Sequence, residues 1–76
     1  MKPSVLAGVI QRLTSMVNSG NEVEARRFEV EGVEKCLVTY YVESDSFEMT
    51  DRATNSVYQF DDIDLVAMEI YELLSE

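Results

Sequence analysis

Apolar residues along this chain change period twice, and those changes limit which folds are open to it. Near the N-terminus Val5, Leu6, Val9, Ile10, Leu13, Met16 and Val17 recur every three or four residues, the spacing of one helix face. Between Phe28 and Phe60 the spacing falls to two, which sends alternate side chains to opposite faces of a strand. From Ile63 to Leu74 the helical spacing returns, with Ile63, Val66, Ala67, Ile70, Leu73 and Leu74 on one face.

Turn chemistry divides these blocks. Pro3 suits a first helical position, and the periodicity predicts a helix over 3–18. Gly20, in the cluster Asn18-Ser19-Gly20-Asn21, supplies a left-handed stop. Phe28 and Val30 alternate with Arg27, Glu29 and Glu31, then Gly32 turns the chain. Cys36, Val38, Tyr40 and Val42 alternate with Leu37, Thr39, Tyr41 and Glu43, which completes a hairpin. Ser44-Asp45-Ser46 is a second turn, Phe47–Thr50 a third strand, 51–56 a loop and Val57–Phe60 a fourth strand. Asp61 is expected as N-cap of a second helix over 62–75, with Asp64 three residues on and Asp62 favoured by the helix dipole. The expected fold is α+β: an α-β-β-β-β-α two-layer sandwich, an antiparallel meander with both helices packed on one face. The 76 residues form a single domain, 1–76.

Charge and missing residue types narrow the function. The net charge is −9 and there is no histidine. Without imidazole, Ser-His and Cys-His dyads and the usual zinc ligand sets are excluded. No nucleophile and base are paired in the sequence, so the chain is read as non-enzymatic, with no catalytic residue, cofactor or metal. Residues 28–76 hold two basic and thirteen acidic side chains, an arrangement that argues against nucleic acid and against anionic membranes. No stretch approaches the roughly 18 apolar residues of a membrane span, and a lone cysteine agrees with a reducing cytoplasm. A chain of this size buries only about 62% of its unfolded surface, so a homodimer is expected to add stability.

The residues Phe28-Glu29-Val30-Glu31-Gly32, Cys36, Tyr40–Tyr41, Phe47-Glu48-Met49 and Tyr58-Gln59-Phe60-Asp61-Asp62-Ile63-Asp64-Leu65-Val66, running into Glu69-Ile70-Tyr71-Glu72-Leu73-Leu74, carry a further signal. The chain resembles the YkuJ family of small Firmicutes proteins over almost its whole length, most strongly from 58 to 74. The resemblance implies a Gram-positive cytosolic source and an antiparallel sheet with flanking helices. It brings no catalytic residue, cofactor or partner to any position.

Four features remain as candidates. Cys36 is expected on the core side with Val38, Tyr40, Phe28 and Phe47, as a small hydrophobe. Asp61, Asp62 and Asp64 lack the spacing of a calcium loop, and helix capping accounts for them. Asp62, Glu69, Glu72 and Glu76 line the polar side of the second helix. No Lys or Arg follows Arg52, so this strip either solvates the helix or docks a basic protein partner. Leu37, Thr39, Tyr41 and Val57 are expected on the open sheet face, sharing it with Glu29, Glu31, Glu43 and Glu48, as an apolar patch for self-association, an edge strand being the other route. The alternative function is a small-molecule-binding protein or enzyme accessory subunit, with a sheet–helix pocket and Tyr40, Tyr58 or Tyr71 at its mouth.

Overall fold

The computed structural model describes residues 4–75. Its elements are α1 (Val5–Val17), β1 (Val23–Val30), β2 (Val33–Tyr41), β3 (Ser46–Asp51), β4 (Ser56–Phe60) and α2 (Ile63–Leu74). The four strands form one antiparallel sheet in the order β1-β2-β3-β4, the expected meander. Both helices lie on the same face: α2 crosses all four strands, while α1 packs against α2 and β1.

Boundaries shift where capping chemistry decides them. Ser4 caps α1, its hydroxyl oxygen accepting the Ala7 N–H at 3.2 Å, so α1 starts two residues later than the periodicity suggests; Pro3 lies outside the described residues. At its far end Asn18 is the cap, its N–H donating to the Thr14 carbonyl while the Ser19 N–H donates to the Met16 carbonyl, and Gly20 takes φ +81° two residues after the cap. Asp62, not Asp61, caps α2. Its backbone is extended (φ −131°, ψ 126°) and its Oδ1 accepts the Asp64 N–H at 2.8 Å, which places Asp64 in the first turn and leaves Asp61 outside the helix.

β1 begins at Val23, five residues before the alternation shows it. Glu24 and Arg26 occupy helix-facing positions opposite Tyr40 and Val38, so this stretch carries charge where a strand signature needs apolar residues. The two side chains form an ion pair with each other, and Asn21 also donates to Glu24. The β1–β2 turn is Glu31-Gly32, with φ +52° and +82°, two left-handed residues whose twist suits a hairpin. A register shift between Phe28 and Glu29 marks a bulge just before it.

The core lies between the sheet and the helices. Phe28, Cys36, Val38, Tyr40, Phe47 and Met49 from the sheet meet Val9, Leu13 and Met16 of α1 and Val66, Ala67 and Ile70 of α2, all buried. Each large side chain so buried contributes roughly 1.5–3 kcal/mol relative to exposure. Val42, expected on this face, lies one residue past β2 and is exposed. Val5 and Val17, at the ends of the α1 stripe, are also exposed.

Candidate functional site

Within the twelve residues of α2 only Asp64, Glu69 and Glu72 are polar. A helix apolar on nearly every side is expected to be buried all round, yet α2 has the sheet and α1 on one side and nothing on the other among the described residues. Leu65, Met68 and Tyr71 are therefore exposed, at 51%, 57% and 41%. Their i, i+3, i+6 spacing makes a ridge, and Glu69 and Glu72 lie along it, both exposed. The outward face of α2 is thus a mixed acidic and apolar surface rather than a purely polar one.

Of the expected acidic strip, Glu69 and Glu72 stand on this face and make no ion pair among the described residues. Asp62 is committed to the helix cap. Glu76 lies outside the described residues. The four arginines are otherwise engaged. Arg26 pairs with Glu24, Arg52 pairs with Glu34, and Arg27 approaches Glu34 at 3.9 Å. Arg12 donates to the Arg27 carbonyl at 2.7 Å and sits 4.1 Å from the Phe28 ring centroid. The Arg26/Arg27 region is therefore already neutralised within its own chain.

The open sheet face holds Leu37, Thr39, Tyr41 and Val57, on the side opposite Cys36 and Met49. They do not form one apolar patch. The row Ala25, Thr39, Glu48, Gln59 crosses the middle of the face, separating Tyr41 and Val23 from Leu37 and Val57. Glu48 stands in that row; Glu31 instead occupies the hairpin turn and Glu43 lies beyond the end of β2. Alternation by itself shows which residues share a face but not how polar a cross-strand row will be, because that depends on register.

Titratable groups in the core are held neutral. Burial pushes the Cys36 thiol up to about 11, with Asp51 and Glu34 adding to the shift and Arg12 opposing it. The Tyr40 hydroxyl donates to Asp45 Oδ1 at 2.7 Å, and this bond, with burial, raises its pKa. The Tyr40 ring packs against Phe47 with centroids 4.9 Å apart. Glu24 is lowered by its hydrogen bonds from Asn21 and Arg26.

Clefts interrupt the surface of the described residues, and two of them bear on the expected pocket. One, about 550 Å³, lies at the end of β1 and β2 and is lined by Glu22, Val23, Tyr41, Val42, Glu43 and Ser44. The other, about 180 Å³, lies near Val33, Arg52 and Leu73. Neither is lined by Tyr40, Tyr58 or Tyr71, and the larger opens away from the sheet–helix layer in which a ligand pocket was expected. Leu65 and Met68 belong to no expected site, because their three-residue spacing reads as an extension of the buried stripe; Tyr71, expected at a pocket mouth, stands on this outward ridge instead.

Comparisons with known proteins place this arrangement. A family model described as "Protein of unknown function (DUF1797)" matches residues 9–74. The uncharacterized protein YkuJ of Bacillus subtilis (strain 168) is 40% identical, over 93% of this chain and 98% of the relative. An X-ray structure of the YkuJ protein from Bacillus subtilis superposes with a TM-score of 0.89 at 39% identity, covering 96% of this chain and all of that one.

Proposed function

The chain belongs to the DUF1797 family, whose shared α-β-β-β-β-α fold is the scaffold on which we propose a non-enzymatic, cytoplasmic interaction module that docks a basic, amphipathic protein segment on α2. The carrying observation is the outward face of that helix, where Leu65, Met68 and Tyr71 are exposed beside Glu69 and Glu72. Exposed apolar side chains bordered by charge are the composition of an interface. The carboxylates steer and select a cationic partner, while the apolar ridge supplies the buried area that holds it. A face serving only solubility has no need of Leu65 and Met68. The free, buried Cys36 suits a reducing compartment.

A direct test titrates the isotopically labelled protein with a synthetic Lys/Leu amphipathic helical peptide and, separately, with polylysine. Amide shifts should concentrate on 64–72 with the amphipathic peptide and be weaker with polylysine. Glu69→Lys/Glu72→Lys and Leu65→Ala/Met68→Ala should each reduce affinity at least tenfold. Shifts confined to another surface, or unchanged affinity in both variants, defeat the reading.

A further inference from the structure

Among the helices and strands of the described residues β4 alone has no charged residue, in a chain of net charge −9. It is also an edge strand. The Arg52 N–H donates to the Lys35 carbonyl across β2 and β3, and antiparallel alternation then turns Asp51, Met49 and Phe47 toward β4. Their partners Ser56, Tyr58 and Phe60 face β3 in return, so Val57 and Gln59 direct their backbone N–H and C=O groups outward. No backbone bond among the described residues uses them. The strand has no lysine, proline or bulge to blunt this edge.

The opposite edge is blunted by charge and by two occupied carbonyls. Ala25 and Arg27, alternate residues of β1, have their carbonyls occupied by the guanidinium groups of Arg26 (2.9 Å) and Arg12 (2.7 Å). Half of the eight residues of β1 are charged as well. One edge is guarded and the other left open.

We propose that β4 pairs antiparallel with β4 of a second copy, Tyr58 opposite Tyr58 of that copy, joining two four-stranded sheets into one of eight strands. This register uses every outward group, since Val57 of each copy exchanges two hydrogen bonds with Gln59 of the other. A strand without charge lets two acidic chains approach there without direct repulsion between facing side chains. Tyr58 lies on the helix-facing side beside buried Met49 yet is 47% exposed, so the apolar layer reaches this edge uncovered; the second Tyr58 covers it. Because β1 is blunted by its four charged residues and two occupied carbonyls, pairing closes at two copies instead of extending into a fibre. The open face offers a poorer contact, with its central row of Thr39, Glu48 and Gln59. The pairing does not depend on what α2 binds.

Light scattering of the purified protein from micromolar to millimolar concentration should show a species of twice 8.7 kDa. Gln59→Pro deletes an outward N–H that the monomer does not use, and should weaken the dimer at least tenfold while far-UV circular dichroism is unchanged. Thr39→Lys, on the open face, should leave it intact. Tyr58→Cys should give a disulfide-linked dimer on mild oxidation, since directly opposed residues of this pair type lie about 4.5 Å apart at Cα, and Val57→Cys should link far less. A monomer at every concentration overturns the proposal. So does a dimer lost in Thr39→Lys but kept in Gln59→Pro, or protection of the Val57 and Gln59 amides only when a foreign extended peptide is added.

Discussion

The guanidinium of Arg12 spans from α1 to the edge of the sheet, donating to the Arg27 carbonyl at 2.7 Å while lying over the ring of Phe28. One side chain thereby docks the helix, covers a core aromatic and caps a strand edge. Arg12→Ala should lower stability by about 1–2 kcal/mol, given the usual strength of exposed cation–π contacts and charged hydrogen bonds. Arg12→Lys should recover only part, because the planar fork is lost. Urea denaturation measures both, and light scattering of Arg12→Ala should reveal higher oligomers once the β1 edge is open.

Glu72 lies in the last turn of α2, where no basic residue balances the negative end of the helix dipole, and Glu69 is three residues before it. Glu72→Lys should therefore raise stability by roughly 0.5 kcal/mol, a gain of about 2–4 °C in Tm for a domain of this size. The same substitution should weaken binding of a cationic amphipathic peptide. Stability rising while binding falls is the signature of a residue kept for its partner; calorimetry and titration of one variant test both halves.

Cys36 and Tyr40 make the fold sensitive to alkali. Each has a folded pKa raised above its unfolded value, Cys36 to about 11 from 9.0. Above pH 9 the unfolded thiol loses its proton while the folded one keeps it, so stability falls as pH rises from about 9 to 11 and is level below. The Cys36 share is at most about 3 kcal/mol. Cys36→Ala should flatten the pH 9–11 slope, read by chemical denaturation at each pH. In the native wild type, a thiol reagent should react with Cys36 only at the rate of opening.

Glu31 takes φ +52° in the Glu31-Gly32 turn, a conformation that asparagine tolerates better than glutamate. Glu31→Asn should raise stability by up to about 1 kcal/mol. Replacing Gly32, at φ +82°, by alanine should lower it by a similar amount. Thermal melts of the pair decide.

Most of the fold was legible because periodicity is a local property. The change from period 3.6 to 2 and back marks Val9, Leu13, Phe28, Cys36, Val38, Val66 and Ile70 as inward, and all are buried. β1 was half hidden because Glu24 and Arg26 satisfy each other on the inner side of an edge strand, where charge is tolerated that a central strand would reject. The Asp61 and Asp62 caps were interchanged because either residue type can cap, and only backbone dihedrals tell which one leaves the helix.

Element order, the antiparallel sheet and most core-facing positions, though not those of Val42 or the start of β1, followed from the sequence alone, through spacing and turn chemistry within a few residues. The exposure of Leu65 and Met68, the capture of the Arg27 carbonyl by Arg12, the polar row of Thr39, Glu48 and Gln59, and the unguarded edge at β4 were decided only in the tertiary structure. Each depends on which elements become neighbours, and the covering of a surface is set by packing between distant segments that local spacing does not encode.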